Sequence, residues 1–208
     1  MDVEKLSRKA INKAAEFLNN GGVVICPTDT VYGFLADASN KKAINKIYKI
    51  KKRPKSKPLA VFVKDFKMAG ELAEIDDKQK KILKQKWPGK YTFLLFSPVI
   101  PAKAGIQSMG VESGFRVKPG MTSLIVKDNK IALRIPNYKF LNDLLKKASR
   151  PLAQTSANIS GMPALVKIDD IIEQFGKSDI LIIDAGNLKK SKPSKIIDLT
   201  NNNKILRK

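Results

Sequence analysis

Short apolar runs alternate along the chain with stretches in which apolar residues recur at helical spacing. The runs Val23 to Cys26, Leu59 to Val63 and Tyr91 to Phe96 have the length and the β-branched or aromatic content of buried strands. The stretches Val3 to Leu18 and Ala43 to Ile50 instead place an apolar residue every three or four positions, which predicts amphipathic helices.

The alternation continues to the C-terminus and predicts the fold class. Further strands are expected at Val31 to Ala36, near Ser123 to Val126, and at Ile131 to Ile135, Leu152 to Thr155, Ile180 to Asp184 and Lys195 to Leu199, and further helices at Asp65 to Ile75, Asp76 to Lys86, Phe140 to Ala148 and Ile168 to Phe175. Strands that alternate with helices indicate an α/β fold. Because the sequence has no internal repeat and no dividing linker, we expect residues 1–208 to form a single domain.

One stretch, residues 99–121, departs from this pattern. It has neither helical nor strand periodicity, and it contains four glycines and two prolines. Long irregular stretches are uncommon inside compact domains unless they are functional or inserted. We favour a loop inserted at the surface, where extra length is well tolerated, over a mobile lid that covers a site.

Composition narrows the range of functions. The chain carries 40 Lys and Arg against 19 Asp and Glu, and this net charge of +21 first suggests a nucleic-acid partner. With no histidine and with Cys26 as the single cysteine, the sequence excludes imidazole catalysis, internal disulfides and thiolate metal sites. Its apolar runs are shorter than the ~20 residues of a membrane-spanning helix, and the N-terminus lacks the apolar core of a signal peptide, so we expect a cytoplasmic protein with no membrane partner.

Two polar clusters follow predicted elements in the first half of the chain, and each allows two interpretations. Residues Pro27 to Gly33 place hydroxyls, a carboxylate and a phenol after a strand, where they can hold a polar ligand or form a turn. Residues Lys49 to Lys57 form a basic run after a helix. Such a run is usually a solvated surface, but one or two of its cations can point at phosphate groups.

Two more clusters lie in the second half. Arg134 interrupts an apolar strand on the side opposite its buried-looking neighbours, so it lies either at the surface or in a cleft. Residues Thr155 to Gly161 supply small hydroxyl and amide groups that permit close approach by a phosphate or a sugar. The glycine spacings of the P-loop and of the Rossmann motif are both absent.

In chain order, the segments GGVVICPTDTVYGFLADA, KKRPKSKPLAVFV, WPGKYTF, ALRIPN and TSANISG closely resemble the motifs of the YrdC-type L-threonylcarbamoyladenylate synthase family. The resemblance extends from about Gly21 to Gly161 and more weakly to the C-terminus. It implies the short, single-domain form of the family, with an α/β fold in which a twisted mixed sheet, flanked by helices, contains a central open cleft.

The resemblance also implies an activity. Members of the family are nucleotidyltransferases that form threonylcarbamoyl-AMP and pyrophosphate from L-threonine, bicarbonate and ATP. Partner proteins then transfer the threonylcarbamoyl group to the tRNA adenosine next to the anticodon. Mg²⁺ is expected to arrive with ATP, bound mainly by phosphate oxygens and without a dedicated protein site. The second interpretation is an RNA-binding module of the same fold without synthase activity, and weak RNA binding through the basic surface is a further expectation.

The motifs of the family match eight residues of this chain. The resemblance implies catalytic and ATP-binding roles for Lys51 and Arg53, L-threonine binding by Thr30, Tyr32 and Arg134, and ATP binding by Thr92, Ser156 and Asn158. The reaction needs no covalent nucleophile from the protein, because it depends on positioning two anions and stabilising charge on the phosphates.

Three positions depart from the family's motifs. Lys90 stands where W-P-G-P has its second proline, and Lys195 stands where S-T-I-[IV]-D has threonine. The closing R-x-G is cut short at Arg207 and Lys208.

Overall fold

The computed structural model describes residues 2–98, 124–189 and 191–207, so the loop predicted at residues 99–121 lies outside the described residues. The strands are β1 Asp2–Lys5, β2 Val24–Pro27, β3 Tyr32–Asp37, β4 Ala60–Phe62, β5 Tyr91–Phe96, β6 Val126–Lys127, β7 Lys130–Arg134, β8 Leu152–Ser156, β9 Leu181–Asp184, β10 Lys195–Asp198 and β11 Lys204–Arg207. The helices are α1 Arg8–Asn19, α2 Lys41–Ile50, α3 Phe66–Gly70, α4 Asp77–Lys86, α5 Lys139–Ala148 and α6 Ile168–Phe175.

The described strands form one sheet that mixes parallel and antiparallel pairs. Its order is β1-β9-β2-β3-β8-β4-β7-β5-β10-β11, with β6 paired to β7 outside this path. The pairs β1–β9, β2–β9, β4–β7 and β5–β10 are parallel, and the remaining pairs are antiparallel. The prediction of an α/β fold with a mixed sheet and flanking helices is therefore confirmed.

One face of the sheet carries the larger apolar core. Val61, Phe93 and Leu133 occupy neighbouring positions on β4, β5 and β7 and are fully buried. Apolar side chains of α2 and α6, such as Ile47 and Phe175, belong to the same core. Burial of this apolar surface is the main stabilising term for the half of the molecule behind the site.

The opposite face is covered along only part of its width. Helices α1 and α5 pack on each other and on β9, β2 and β3, and they reach the near ends of β8 and β4. The sheet residues beneath these two helices are Val24, Cys26, Leu35, Phe62, Leu152, Leu181 and Ile183. In the described part of the chain, this core does not extend over β7, β5 and β10, and their exposed face becomes the floor of a cleft.

Side-chain caps define where several helices begin. The Asn40 side chain accepts a hydrogen bond from the backbone N–H of Ala43 at 3.0 Å at the start of α2. Asp76 and Gln79 form a reciprocal capping box at the start of α4. Both caps satisfy N–H groups that have no partner inside the helix.

The prediction of a helix from Val3 is wrong, because residues 2–5 form strand β1. Ser7 caps α1 by accepting a hydrogen bond from the N–H of Ala10 at 3.1 Å, so the helix begins at Arg8. Strand β1 pairs in parallel with β9, with Val3 opposite Ile182. Strand β11 was not predicted either, and the helix expected at Asp65 to Ile75 is limited to α3.

Among the described residues, no helix has the length and apolar character needed to cross a bilayer.

Candidate active site

A cleft of about 610 Å³ opens on the uncovered part of the sheet. Its floor consists of alternate residues on neighbouring strands, which therefore point to the same side. Ala60 lies opposite Gln154 across β4 and β8, and Ala132 lies opposite Leu94 across β7 and β5. The two alanines leave space above the sheet, and this space is the cleft.

The structure brings most of the predicted site residues together in this cleft. Seven of the eight line it: Thr30, Tyr32, Arg53, Thr92, Arg134, Ser156 and Asn158. The eighth, Lys51, lies behind the turn that follows β8. The assigned roles of all eight remain predictions.

Arg134 is buried and faces the cleft, so the interpretation as a surface residue is wrong. Only 1% of the residue is exposed. Its Nη2 lies 2.6 Å from both carboxylate oxygens of Asp29, its Nε donates to the Gly89 carbonyl at 2.8 Å, and its guanidinium lies 5.6 Å from the ring centre of Phe62. Burial lowers the pKa of Arg134, and the charge of Asp29 opposes that effect.

Arg53 and Arg207 approach the cleft from two different segments. Arg53 donates from Nε to the Lys57 carbonyl at 2.9 Å and from Nη2 to the Pro58 carbonyl at 3.0 Å. Arg207 donates from Nε to the Ser194 carbonyl at 2.8 Å. Burial lowers the pKa of Arg207, and the charge of Arg53 lowers it further, which places the two guanidinium groups within electrostatic reach of each other.

The C-terminal segment also contributes to the cleft through Ser194. The Ser194 hydroxyl accepts from Nη2 of Arg207 at 2.9 Å and lies 3.0 Å from the hydroxyl of Thr92. Thr92 was predicted, whereas Ser194 and Arg207 were not among the predicted site residues. The signal for both was in the C-terminal motifs, where Ser194 keeps the serine of S-T-I-[IV]-D and Arg207 keeps the arginine of R-x-G.

The charged residues that the structure describes in the cleft lining are all cationic. Three arginines line the cleft, Arg53, Arg134 and Arg207, and no Asp or Glu stands among the described lining residues. The charge of Arg207 lowers the pKa of Arg134, as that of Arg53 lowers the pKa of Arg207. Like charges that line one cleft repel one another, and an anion bound between them would relieve the repulsion.

Lys51 supports the turn that carries Ser156 and Asn158. Its Nζ donates to the Ser156 carbonyl at 2.5 Å, to the Asn158 carbonyl at 2.7 Å and to Oδ1 of Asn158 at 3.1 Å. These three oxygens match the three protons of an ammonium group. Burial, followed by the charge of Arg53, nevertheless lowers the pKa of Lys51 to about 7.

The polar atoms of this turn bind mostly to one another. The Ser156 hydroxyl donates to Oδ1 of Asn158 at 2.6 Å, and the Asn158 amide donates to the Met162 carbonyl at 2.6 Å. The turn is therefore a fixed edge of the cleft, braced from behind by Lys51.

The segment after β2 forms a turn, as one interpretation of Pro27 to Gly33 has it, and it also lines the cleft, while ligand binding by this segment remains a prediction. The Thr28 hydroxyl donates to the Val31 carbonyl at 2.7 Å, which uses its only proton. Thr30 must then be the donor in the 3.0 Å contact between the two threonine hydroxyls. The lone pairs of the Thr30 oxygen stay available to accept from a ligand N–H or O–H group.

Tyr32 connects the cleft to the segment after β9. Its hydroxyl donates to the Gly186 carbonyl at 2.7 Å and accepts from the N–H of Ala185 at 2.9 Å. Burial raises the pKa of Tyr32 to about 12. The tyrosine thus offers its ring to the cleft while its hydroxyl holds the main chain.

Asp29 is the most important neighbour that the sequence did not identify. Its carboxylate binds Arg134 and also accepts from the N–H of Asn137 at 3.2 Å. In the sequence it was visible only as the central residue of a polar turn, 105 positions away from Arg134.

Two other features bear on the choice of site. A wider groove of about 1070 Å³ between α1 and α5, bordered by Arg8, Tyr138 and Lys147, contains none of the predicted residues. Within residues 2–98, 124–189 and 191–207, no three Asp, Glu, Cys or His side chains converge as a metal-binding group.

Comparison with known proteins relates the whole chain to one family. The Sua5/YciO/YrdC family model, described as telomere recombination, matches residues 16–208. A Methanocaldococcus jannaschii protein provisionally named threonylcarbamoyl-AMP synthase is 35% identical over 201 residues, which cover 95% of this chain and 86% of that protein.

Longer relatives match over part of their length. Threonylcarbamoyl-AMP synthase of Pyrococcus abyssi is 31% identical over 199 residues, covering 95% of this chain and 53% of the relative. The Bacillus subtilis synthase is 32% identical over 177 residues, covering 85% of this chain and 46% of the relative. The chain therefore spans about half the length of these two relatives.

Solved structures agree with the sequence matches. Pyrococcus abyssi Sua5 complexed with L-threonine superposes with a TM-score of 0.78 at 29% identity, over 97% of this chain and 54% of that one. Escherichia coli YciO gives a TM-score of 0.79 over 100% of this chain and 96% of its own, and at 23% identity it shows the fold alone. With a family match from residue 16 to residue 208, this chain belongs to the Sua5/YciO/YrdC family.

Proposed function

We propose that the protein is a threonylcarbamoyl-AMP synthase, a nucleotidyltransferase that joins L-threonine, bicarbonate and ATP. The observation that carries the proposal is a cleft lined by three arginines and no described carboxylate, with hydroxyl and amide groups at its edges. Such a site suits a ligand set that brings a carboxylate and several phosphates close together.

The reaction can be balanced without a covalent enzyme intermediate. The amine of threonine adds CO₂ derived from bicarbonate and forms a carbamate, with release of water. A carbamate oxygen then attacks the α-phosphorus of ATP, and the bond between that phosphorus and the bridging oxygen of the β-phosphate breaks. The products are threonylcarbamoyl-AMP and pyrophosphate.

The cleft residues divide between the two ends of this reaction. Arg53 and Arg207 stabilise charge on the phosphates, and Thr92 with Ser194 borders the nucleotide. Arg134 faces the threonine carboxylate, while the Thr30 oxygen accepts from the threonine amine or hydroxyl. Lys51 acts through the turn at Ser156 and Asn158, which it holds against the nucleotide.

Names of the relatives support this assignment. Two relatives that share more than 30% of their residues with this chain are named threonylcarbamoyl-AMP synthases. The Pyrococcus abyssi Sua5 structure, 29% identical to this chain, holds L-threonine.

Further parts of the proposal concern partners and setting. Mg²⁺ enters with ATP as part of the substrate, bound by phosphate oxygens. Proteins that transfer threonylcarbamoyl to tRNA consume the product, and the cytoplasm, where ATP and tRNA are available, is the proposed location.

The test is the release of pyrophosphate from purified protein. Release is expected only when L-threonine, bicarbonate and ATP are all present, and Arg53→Gln is expected to reduce it severely. Lys55→Gln, a charge change at an exposed position of the same loop, is the matched control and should leave the rate nearly unchanged. Equal release without threonine would contradict the proposal.

An RNA-binding module without synthase activity is the second candidate, and the exposed lysines of the run from Lys49 to Lys57 favour it. RNA binding would weaken steeply with salt. If the purified protein binds RNA tightly and releases no pyrophosphate, this candidate replaces the first. If reversing the charge of Lys52, Lys55 and Lys57 leaves RNA affinity unchanged, it fails.

A further inference from the structure

A second groove lies beside the cleft, with a volume of about 710 Å³. Three lysines line it: Lys90 directly before β5, Lys192 in the segment before β10, and Lys195 at the first position of β10. We call it the lysine groove. A backbone hydrogen bond of 3.0 Å from the N–H of Lys195 to the Lys90 carbonyl ties the two segments together.

The lysine groove and the cleft share a thin wall. Pro193 lines both spaces. Asp29 and Gly89 line the lysine groove, and on the other side of the wall both bind Arg134, a lining residue of the cleft. An anion that leaves the arginines of the cleft therefore has a second cationic surface immediately beside it.

Among the described residues, no acid forms an ion pair with a lysine of the groove. The Lys90 ammonium donates to the Ser191 hydroxyl at 3.0 Å, and none of the ion pairs in the described part of the chain involves Lys90, Lys192 or Lys195. Asp29 is the single acid among the described lining residues, and both its oxygens are occupied by Arg134. Three cations without acidic partners suit an anion that carries several charges.

Two of these lysines distinguish this chain from the motifs that it resembles. Lys90 replaces the second proline of W-P-G-P, and Lys195 replaces the threonine of S-T-I-[IV]-D. The positions are far apart in sequence, yet the structure places both in one groove. The positive charge of the lysine groove therefore belongs to this chain and does not follow from the shared motifs.

We infer that the lysine groove binds a condensed phosphate and receives the pyrophosphate that leaves the cleft. The identity of this anion rests on the proposed function, since pyrophosphate is a product of that reaction. The cleft holds the reactants with its arginines, and the lysine groove offers the leaving anion a separate site past Pro193. Pyrophosphate, with more charge than orthophosphate and two groups to span the lysines, is the better ligand.

The test measures pyrophosphate binding by calorimetry, without ATP or threonine, in a chain whose cleft residues Arg53 and Arg207 are both changed to Gln so that the cleft contributes little to the signal. The variant changes Lys90, Lys192 and Lys195 to Gln together, and the matched control changes three exposed lysines of α4, Lys78, Lys81 and Lys84, to Gln. The groove variant is expected to lose about tenfold in pyrophosphate affinity, while the control changes less than about twofold. Thermal melting of both variants checks that they fold.

The inference would be overturned if the groove variant bound pyrophosphate as tightly as the protein with the three groove lysines intact. It would also be overturned if the control lost as much pyrophosphate affinity as the groove variant, since that would indicate a general charge effect. Orthophosphate bound as tightly as pyrophosphate would also overturn it. The outcome is separable from the proposed function. If pyrophosphate binding depends on the three lysines but the protein has no synthase activity, the lysine groove is supported and the proposed synthase function is rejected. If the groove variant still makes threonylcarbamoyl-AMP in a threonine-dependent reaction, and pyrophosphate inhibits it as strongly as it inhibits the wild-type protein, the synthase function is supported and the lysine groove is rejected.

Discussion

Asp29 holds Arg134 at the wall of the cleft, with Nη2 of the arginine 2.6 Å from each carboxylate oxygen. The side chains are only 6% and 2% exposed, so neither charge is shared with solvent. Asp29 is not among the described lining residues of the cleft, so it neutralises the guanidinium from the side that faces away from the cleft. The same contact sets the orientation of Arg134.

This ion pair predicts a large effect when one partner is removed. Asp29→Asn leaves a buried cation without its counter-charge, and we expect the free energy of unfolding to fall by about 3 kcal/mol. Chemical denaturation measures it. Asp143→Asn, which removes an exposed i,i+4 pair with Lys139, is the control and should change stability by less than about 1 kcal/mol. A similar small change in both variants would contradict the prediction.

Lys51 predicts a dependence of stability on pH. Because its pKa is lowered to about 7 from 10.5, the unfolded chain carries a proton in this range that the folded protein lacks. Stability should then rise with pH above about 7, by at most about 1.4 kcal/mol per pH unit. The Cys26 thiol, whose pKa is raised by burial, acts in the opposite sense only from about its ordinary pKa of 9.0 upward.

Urea denaturation between pH 7.0 and pH 8.5 isolates the contribution of Lys51. In Lys51→Met the rise should disappear, whereas Lys49→Met, at an exposed position two residues earlier, should keep it. A rise that persists in Lys51→Met would assign it to another group.

Tyr32 predicts a coupling between the cleft and the segment after β9. Tyr32→Phe removes the hydroxyl that binds Ala185 and Gly186, and we expect a loss of about 1 to 2 kcal/mol in unfolding free energy. Hydrogen exchange of the Ala185 amide should increase at the same time. Tyr138→Phe is the control, since its hydroxyl makes no hydrogen bond within the part of the chain that the structure describes. Unchanged exchange at Ala185 would disprove the coupling.

Arg207 predicts a specific defect toward ATP. Arg207→Gln removes one of the three cleft charges and its bonds to Ser194, and under the proposed reaction we expect the KM for ATP to rise about tenfold, with the KM for threonine nearly unchanged. Lys204→Gln, at the exposed start of the same strand, is the control. An equal rise for both substrates would point to a general loss of structure.

Most elements could be predicted from local patterns. Strand β5 and helix α6 have the predicted bounds, because their apolar positions and flanking breakers agree. Strand β1 could not be predicted, since its residues are mostly polar and its stability comes from pairing with β9, far along the chain. Val3 also fits a helical pattern with Leu6, and local spacing cannot decide between the two.

The candidate site was also predictable only in part: its lining residues could be predicted from the sequence, but the partners of these residues could not. Ordered motifs identified seven residues that line one cleft. The partners of those residues depend on contacts across the fold, as between Asp29 and Arg134 or between Lys51 and Asn158. The direction of a long, flexible side chain depends on the residues that surround it in the fold, and a single sequence does not show which residues these are.

The partial cover of the sheet by α1 and α5 has a consequence for engineering. The core that stabilises the fold lies behind β4, β7 and β5, while the space above their front face contributes little packing. A side chain that grows from that front face, as in Ala132→Leu, would fill the cleft without disturbing the core. Such a variant would keep the stability of the fold while blocking ligand binding in the cleft. It would therefore serve as a folded control with a blocked cleft in later assays.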